Sequence, residues 1–203
     1  MNRILLIIIG ILLSFKMPAQ NAEEFLNTVI EKNKSYDDIS ITFDYTFKNV
    51  ITGVKETTSG YGSMKGRSYF INVEGQEMIS NGETLWTYLI DDEEVMISEV
   101  TDDNDSSPLA IIESFTENVN VSIAETNDRL TTIVITEKDG NTFEKVLIEV
   151  DTEMKIRKVH AFISDGNEFI YEIKDFKTNQ NLPDSMFIFD EKIHPNVDVI
   201  DMR

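Results

Sequence analysis

The sequence predicts an α+β protein built on a long antiparallel sheet, and three observations predict it. Segment after segment alternates apolar and polar side chains with period two, the pattern of a strand buried on one face. Turn-forming runs such as Asn81-Gly82, Asp139-Gly140-Asn141 and Asp165-Gly166-Asn167 separate those segments at hairpin spacing. Helical periodicity is confined to one stretch near the N-terminus and one in mid-chain. At 203 residues, 41% of them hydrophobic, the chain has material for one packed core, and no linker or internal repeat divides it.

Residues 1–20 read as a secretory signal: Arg3 supplies the charge, residues 4–15 the apolar run, and Met17-Pro18-Ala19 the cleavage region. That run is too short for a membrane span. Residues 21–203 are then the expected single domain. Cleavage removes Arg3 and Lys16 and no carboxylate, widening the excess of 37 acidic over 18 basic side chains. Nucleic acid is excluded as a partner, because phosphate binding rests on clustered Lys and Arg. Tight general adhesion to anionic lipid is disfavoured on the same ground; the acidity serves either solubility alone or a lipid-handling protein that must stay off membranes until it docks. The chain has no cysteine, so an exported fold must rest on packing alone, with no thiol to carry a lipid anchor.

In chain order, residues 22–32 place Ala22, Phe25, Leu26, Val29 and Ile30 at helical spacing, with Glu23 and Glu24 near the positive helix end. Residues 39–48 alternate strictly, setting Ile39, Ile41, Phe43, Tyr45 and Phe47 on one face. A turn at Thr52-Gly53 leads into a polar strand, residues 54–64, in which Gly60 and Gly62 signal bending. Gly60-Tyr61-Gly62-Ser63-Met64-Lys65-Gly66 has neither dinucleotide-loop nor Walker spacing, and no helix pattern follows it. Residues 68–73 form another strand. A meander then runs through residues 76–97, with a type I′ turn expected at Asn81-Gly82, the only tryptophan at Trp86, and an acidic turn at residues 91–94.

Ser107-Pro108 is a capped, proline-started helix entry, and residues 109–118 carry Leu109, Ile112 and Phe115 on it. Asp102, Asn104, Ser106 and Glu113 partly imitate a calcium loop, but Ser107 stands where that loop needs glycine. Strands are expected over residues 119–124, 130–137, 142–150, 155–164, 169–176 and 186–189, and the tail closes with residues 194–201. Of the two histidines, His160 sits in a strand and His194 before a proline, with no shared metal spacing. No nucleophile elbow, cysteine nucleophile or dinucleotide fingerprint is present, and no pair of the scattered carboxylates stands out as acid and base. Neither catalysis nor a cofactor or metal is expected.

Three motifs resemble the LolA family of periplasmic outer-membrane lipoprotein carriers: residues 81–95, with Gly82-Glu83-Thr84-Leu85-Trp86-Thr87-Tyr88; Ser107-Pro108-Leu109-Ala110-Ile111-Ile112; and Phe187-Ile188-Phe189 followed by residues 195–201. The resemblance covers most of residues 21–203. It implies an open antiparallel β half-barrel of about ten to eleven strands with helices covering the concave face, enclosing a greasy cavity for acyl chains. It further implies a soluble periplasmic monomer that takes acylated lipoproteins from an inner-membrane ABC transporter and passes them to an outer-membrane acceptor. The alternative within the fold is a periplasmic lipid- or lipoprotein-sensing regulatory module. On this reading Phe43, Phe47, Phe70 and Trp86 line the cavity wall, and Leu109, Ile112 and Phe115 the lid. Arg67 is the counterpart of the family's lid-holding arginine, although Lys65-Gly66-Arg67-Ser68 lacks the proline that usually follows it.

Overall fold

A computed structural model describes residues 19–101, 118–138, 143–163 and 165–203. The first element is helix α1 (Ala19–Lys34). Ala22, Leu26, Val29 and Ile30 recur at the spacing of a helical face and are all buried. Lys32 and Lys34 fall in the last turn, where the helix dipole favours positive charge. The helix is tied down at its end by Asn33, whose side-chain amide donates to the carbonyls of Val29 (2.8 Å) and Met154 (3.0 Å).

Twelve strands follow: β1 (Ile39–Asn49), β2 (Lys55–Lys65), β3 (Ser68–Val73), β4 (Gln76–Ser80), β5 (Thr84–Leu89), β6 (Glu94–Glu99), β7 (Val119–Thr126), β8 (Leu130–Glu137), β9 (Lys145–Asp151), β10 (Ile156–Phe162), β11 (Asn167–Thr178) and β12 (Asp198–Asp201). They make one open sheet in the order β12-β6-β5-β4-β3-β2-β1-β11-β10-β9-β8-β7. Every pairing is antiparallel except that of β12 with β6. The centre is the long pairing of β1 with β11, in register from Phe47↔Phe169 to Phe43↔Ile173 with a bulge at Thr42/Phe43.

Two apolar cores sit on opposite faces of this sheet. Ala22, Leu26, Val29 and Ile30 of α1 pack on Val119 and Val121 of β7, Ile133 and Ile135 of β8, and Val146, Ile148 and Val150 of β9. Those strand residues stand across from one another in the pairing, so they share a face, here termed the helix-bearing face. The second core joins Ile79, Tyr88 and Val95 to Phe189, with Phe70, Trp86 and Val197 against it. Residues 183–203 therefore strap the opposite face of β3–β6 before β12 completes the edge.

The antiparallel sheet and the N-terminal helix are as the sequence predicts, but three details differ. The sheet has twelve strands instead of ten or eleven. Residues 186–189 are not a strand: Pro183 leads into a 3₁₀ turn over Asp184–Phe187, closed by the Met186 N–H donating to the Pro183 carbonyl at 3.0 Å. The Asn81-Gly82 loop is not type I′, because only Gly82 has positive φ (87°). Instead the Asn81 side-chain carbonyl accepts from the N–H groups of Glu83 (2.9 Å) and Thr84 (2.8 Å) across a three-residue loop. Among the described residues α1 is the only α-helix. The mid-chain helix expected at residues 109–118 lies outside the described residues, apart from Asn118.

Candidate functional site: an aromatic ladder beside α1

Strand alternation points Phe43, Tyr45 and Phe47 of β1 to the same side, and the β1/β11 register sets Phe169, Tyr171 and Ile173 directly opposite them. The rings form a ladder: Phe43 with Tyr171 at 6.0 Å between centroids, Tyr171 with Tyr45 at 5.1 Å, Tyr45 with Phe169 at 6.5 Å, and Phe169 with Phe47 at 5.6 Å. These are the offset and tilted geometries aromatic pairs favour. Through β10, where Val159 opposes Tyr171 and Ala161 opposes Phe169, the ladder continues onto the surface that carries α1. On its other side the pairing leads to Gly60 and Gly62 of β2, then Ile71 of β3 and Met78 of β4.

Gly60 makes this surface possible. It stands across from Phe43, and a Cβ there would meet the ring at 2.5 Å (Cζ) and 2.7 Å (Cε2), so the far edge of the Phe43 ring occupies the space a side chain would take. Phe43 is buried, whereas Tyr45, Phe47 and Phe169 are half-buried and Tyr171 is 39% exposed. Both tyrosine hydroxyls titrate above the ordinary phenol range. Burial is the main cause for each; the charge of Glu74, in the β3–β4 turn, adds to it at Tyr45, and Tyr45 followed by Glu74 adds to it at Tyr171.

The opposite face of the same strands is charged. Lys48 Nζ lies 3.1 Å from Glu168 Oε1, His160 Nε2 3.0 Å from Glu168 Oε2, Lys158 Nζ 3.2 Å from Glu172 and Lys174 Nζ 3.1 Å from Asp44. Burial pushes the Glu168 carboxyl up, but the Lys48 and His160 contacts outweigh it and hold it below its usual range. The contrast gives the central strands an apolar side and an ionic side.

The register also sorts the expected site residues. Phe43 and Phe47 are on the helix-bearing face, but Phe70 and Trp86 are not. Phe70 stands across from Ile79, and Ile79 across from Trp86, within the core on the other face. The four therefore do not form one wall: Phe70 and Trp86 support the C-terminal strap. Arg67 is exposed in the two-residue turn between β2 and β3, its Cβ 3.1 Å from the position a Cβ on Gly82 would take. Leu109, Ile112 and Phe115 lie outside the described residues. Tyr45, Phe169 and Tyr171 complete the ladder. Tyr45 shows in the alternation of β1, but the other two are found only once β1 is known to pair with β11. His194 stacks on Phe189 at 4.9 Å and meets Tyr88 at 4.7 Å, a packing role.

Two hollows lie along α1 and neither suits a fatty tail. One of about 80 Å³, between Leu26 and Val119/Val121, is far below the size of a ligand site. The other, about 720 Å³, is a shallow depression on the polar side of the helix lined by Glu23, Glu24, Asn27 and Glu31 among others. Among the described residues, the half-exposed ladder is an apolar surface beside α1.

An open twelve-stranded sheet, antiparallel except at the β12–β6 edge, with one α-helix among the described residues, is a LolA-like fold. The family model described as outer membrane lipoprotein carrier protein LolA matches residues 72–190, more than half of the chain. The chain belongs to the LolA family. It is similar to the outer-membrane lipoprotein carrier protein of Francisella philomiragia, with 26% identity covering 97% of each chain. The protein of the same name from Francisella tularensis is 23% identical over 85% of this chain and 86% of its own. Among solved structures, an uncharacterized conserved protein from Thermus thermophilus superposes with a TM-score of 0.58 at 13% identity, covering 90% of this chain and 99% of that one. That likeness is one of fold alone. Phe43, Phe47, Arg67 and Phe70 precede the stretch matched by the family model, whereas Phe169 and Tyr171 fall inside it.

Proposed function

We propose that this protein is a periplasmic carrier that holds the acyl chains of lipoproteins against the aromatic ladder and takes them from the inner to the outer membrane. The observation that carries the reading is the half-exposed apolar ladder of β1 and β11, set beside α1 and backed by an ionic face. An acyl chain in water costs about 0.8 kcal/mol per methylene, so each long chain needs on the order of 10 kcal/mol of burial to cross an aqueous compartment. An open apolar sheet face offers that burial and still permits release. Chemistry on the cargo is not required, and the family's named role is carriage, not catalysis.

In this reading residues 1–20 direct export and are removed, and residues 21–203 act as one domain and as a monomer without cofactor or metal. No helix among the described residues is long and apolar enough to cross a membrane. Cargo arrives from an inner-membrane ABC transporter and leaves to an outer-membrane acceptor. Leu109, Ile112 and Phe115 close over the loaded ladder, and Arg67 holds that closure. Depletion of the protein in its host tests the carrier reading: lipoproteins should accumulate in the inner membrane, and unchanged sorting would refute it.

A further inference from the structure

The ladder does not end in the sheet. Beyond Phe47 the chain turns through residues 50–54, the tip of the β1–β2 hairpin, and presents three aliphatic side chains to solvent: Val50 (53% exposed), Ile51 (76%) and Val54. This tip is a built structure. The Asn49 side-chain carbonyl accepts from the N–H groups of Ile51 (3.0 Å) and Thr52 (2.8 Å), and the Asn49 backbone carbonyl accepts from Gly53 N–H (2.9 Å). Asn49 N–H donates to Val54, and Val50 N–H to the Gly166 carbonyl of the neighbouring β10–β11 turn, both at 2.9 Å. Every backbone N–H from Asn49 to Gly53 is thus satisfied within the protein.

Gly166 lets the tip lean on that turn, since a Cβ there would lie 3.0 Å from Ile51 Cδ1 and 3.2 Å from Val50 Cγ2. In a chain with 37 acidic side chains, Lys48-Asn49-Val50-Ile51-Thr52-Gly53-Val54-Lys55 contains none and has lysine at both ends. Lys48 is paired with Glu168, and Asp165 in the adjoining turn bonds Asn167.

We propose that the β1–β2 hairpin tip enters the surface of a lipid bilayer and forms the apolar bridge by which acyl chains pass between the aromatic ladder and the membrane. The inference rests on the carrier reading: the transporter and the acceptor hold the carrier at each membrane, and the tip adds the apolar path between ladder and bilayer there. Three features favour lipid over a protein partner. The exposed groups are aliphatic; the N–H groups of Asn49 to Gly53 are already paired, which lowers the cost of leaving water; and the tip continues the row of Phe43, Tyr45 and Phe47 along β1. Residues 48–55 carry no carboxylate, so the tip itself meets less repulsion at an anionic surface than the rest of the molecule does.

The chain has no cysteine, so Ile51→Cys gives a single site for an environment-sensitive fluorophore on protein purified after export. Mixed with phosphatidylethanolamine–phosphatidylglycerol vesicles, the label at residue 51 should shift to the blue and brighten. The same label introduced by Ile193→Cys, at an exposed position in the strap, should not. Ile51→Asp should weaken vesicle binding roughly tenfold or more, the effect of losing one buried aliphatic side chain. It should leave capture of a triacylated lipopeptide unchanged. No change at residue 51, or equal changes at both sites, would overturn the bridge. Failure to capture the lipopeptide would overturn the carrier reading instead, and capture without a vesicle response would overturn the bridge alone.

Discussion

Gly60 and Asp38 show how single positions hold the candidate site in place. At Gly60 an added methyl group would meet both the far edge of the Phe43 ring and, at 3.0 Å, the backbone carbonyl of Asn72. Gly60→Ala should therefore cost about 1–3 kcal/mol of stability, the usual penalty of overpacking. Urea unfolding would measure it, and the cost should fall sharply in a Phe43→Ala background; an undiminished cost would place the strain on Asn72. Asp38, only 2% exposed, fastens the end of β11 to the start of β1. Its carboxylate accepts from the N–H groups of Gln180 (2.8 Å) and Leu182 (3.1 Å). Burial pushes its pKa up, but those donors, with Asn181 and the charge of Lys65, bring the net value below the usual aspartate range. A carboxyl depressed in the folded state stabilises the fold above its unfolded pKa, and that contribution is lost as pH falls through the folded value. The stability gap between the wild type and Asp38→Asn should therefore be constant near neutrality and close as pH drops below about 4. A gap that persists at low pH would show that the charge is not what matters.

At the scale of elements, the C-terminal strap is held by one ring more than by its strand. β12 is short and wholly exposed, and beyond its pairing with β6 it is anchored by backbone bonds such as Asp198 N–H to the Glu93 carbonyl at 2.7 Å. Phe189, nine residues upstream, is buried against Tyr88 at 5.4 Å and under His194. Phe189→Ala should cost about 3–5 kcal/mol locally, and amide exchange at residues 198–202 should accelerate greatly while that of α1 is unchanged. Exchange that rises equally in both would mean the two cores unfold together. This strap also marks where sequence reasoning ran out. Phe187 and Phe189 are buried and Ile188 exposed, the period of a strand, so four residues alone could not reveal the 3₁₀ turn that Pro183 starts. Strands such as β1 were legible because long alternation has no competing explanation. Face was legible only within a strand. That Phe47 and Trp86 point to opposite sides follows from the registers of the four successive pairings from β1 to β5, which no local pattern encodes.

Across the whole molecule the two covers are placed diagonally: α1 over β7–β10 on one face, the strap over β3–β6 on the other. Among the described residues the central strands β11, β1 and β2 have neither, and there the apolar ladder is half-exposed. Each cover stabilises its own end, so the middle of the sheet is where a bound acyl chain would add most. Occupancy stabilises a fold by mass action, about 2.7 kcal/mol when free ligand is a hundredfold above Kd, or roughly 5–10 °C in melting temperature for a protein of this size. A soluble triacylated lipopeptide should produce that rise and slow amide exchange most in β1 and β11. Phe47→Ser should remove most of the rise while shifting the unliganded melting temperature little, because Phe47 is only half-buried. Serine suits this test better than glutamate, since Glu56 stands directly across from residue 47 and a like charge there would destabilise the pair by itself. A ligand-induced rise that survives Phe47→Ser, with protection appearing in β3–β6 instead, would move the acyl site to the opposite face of the sheet.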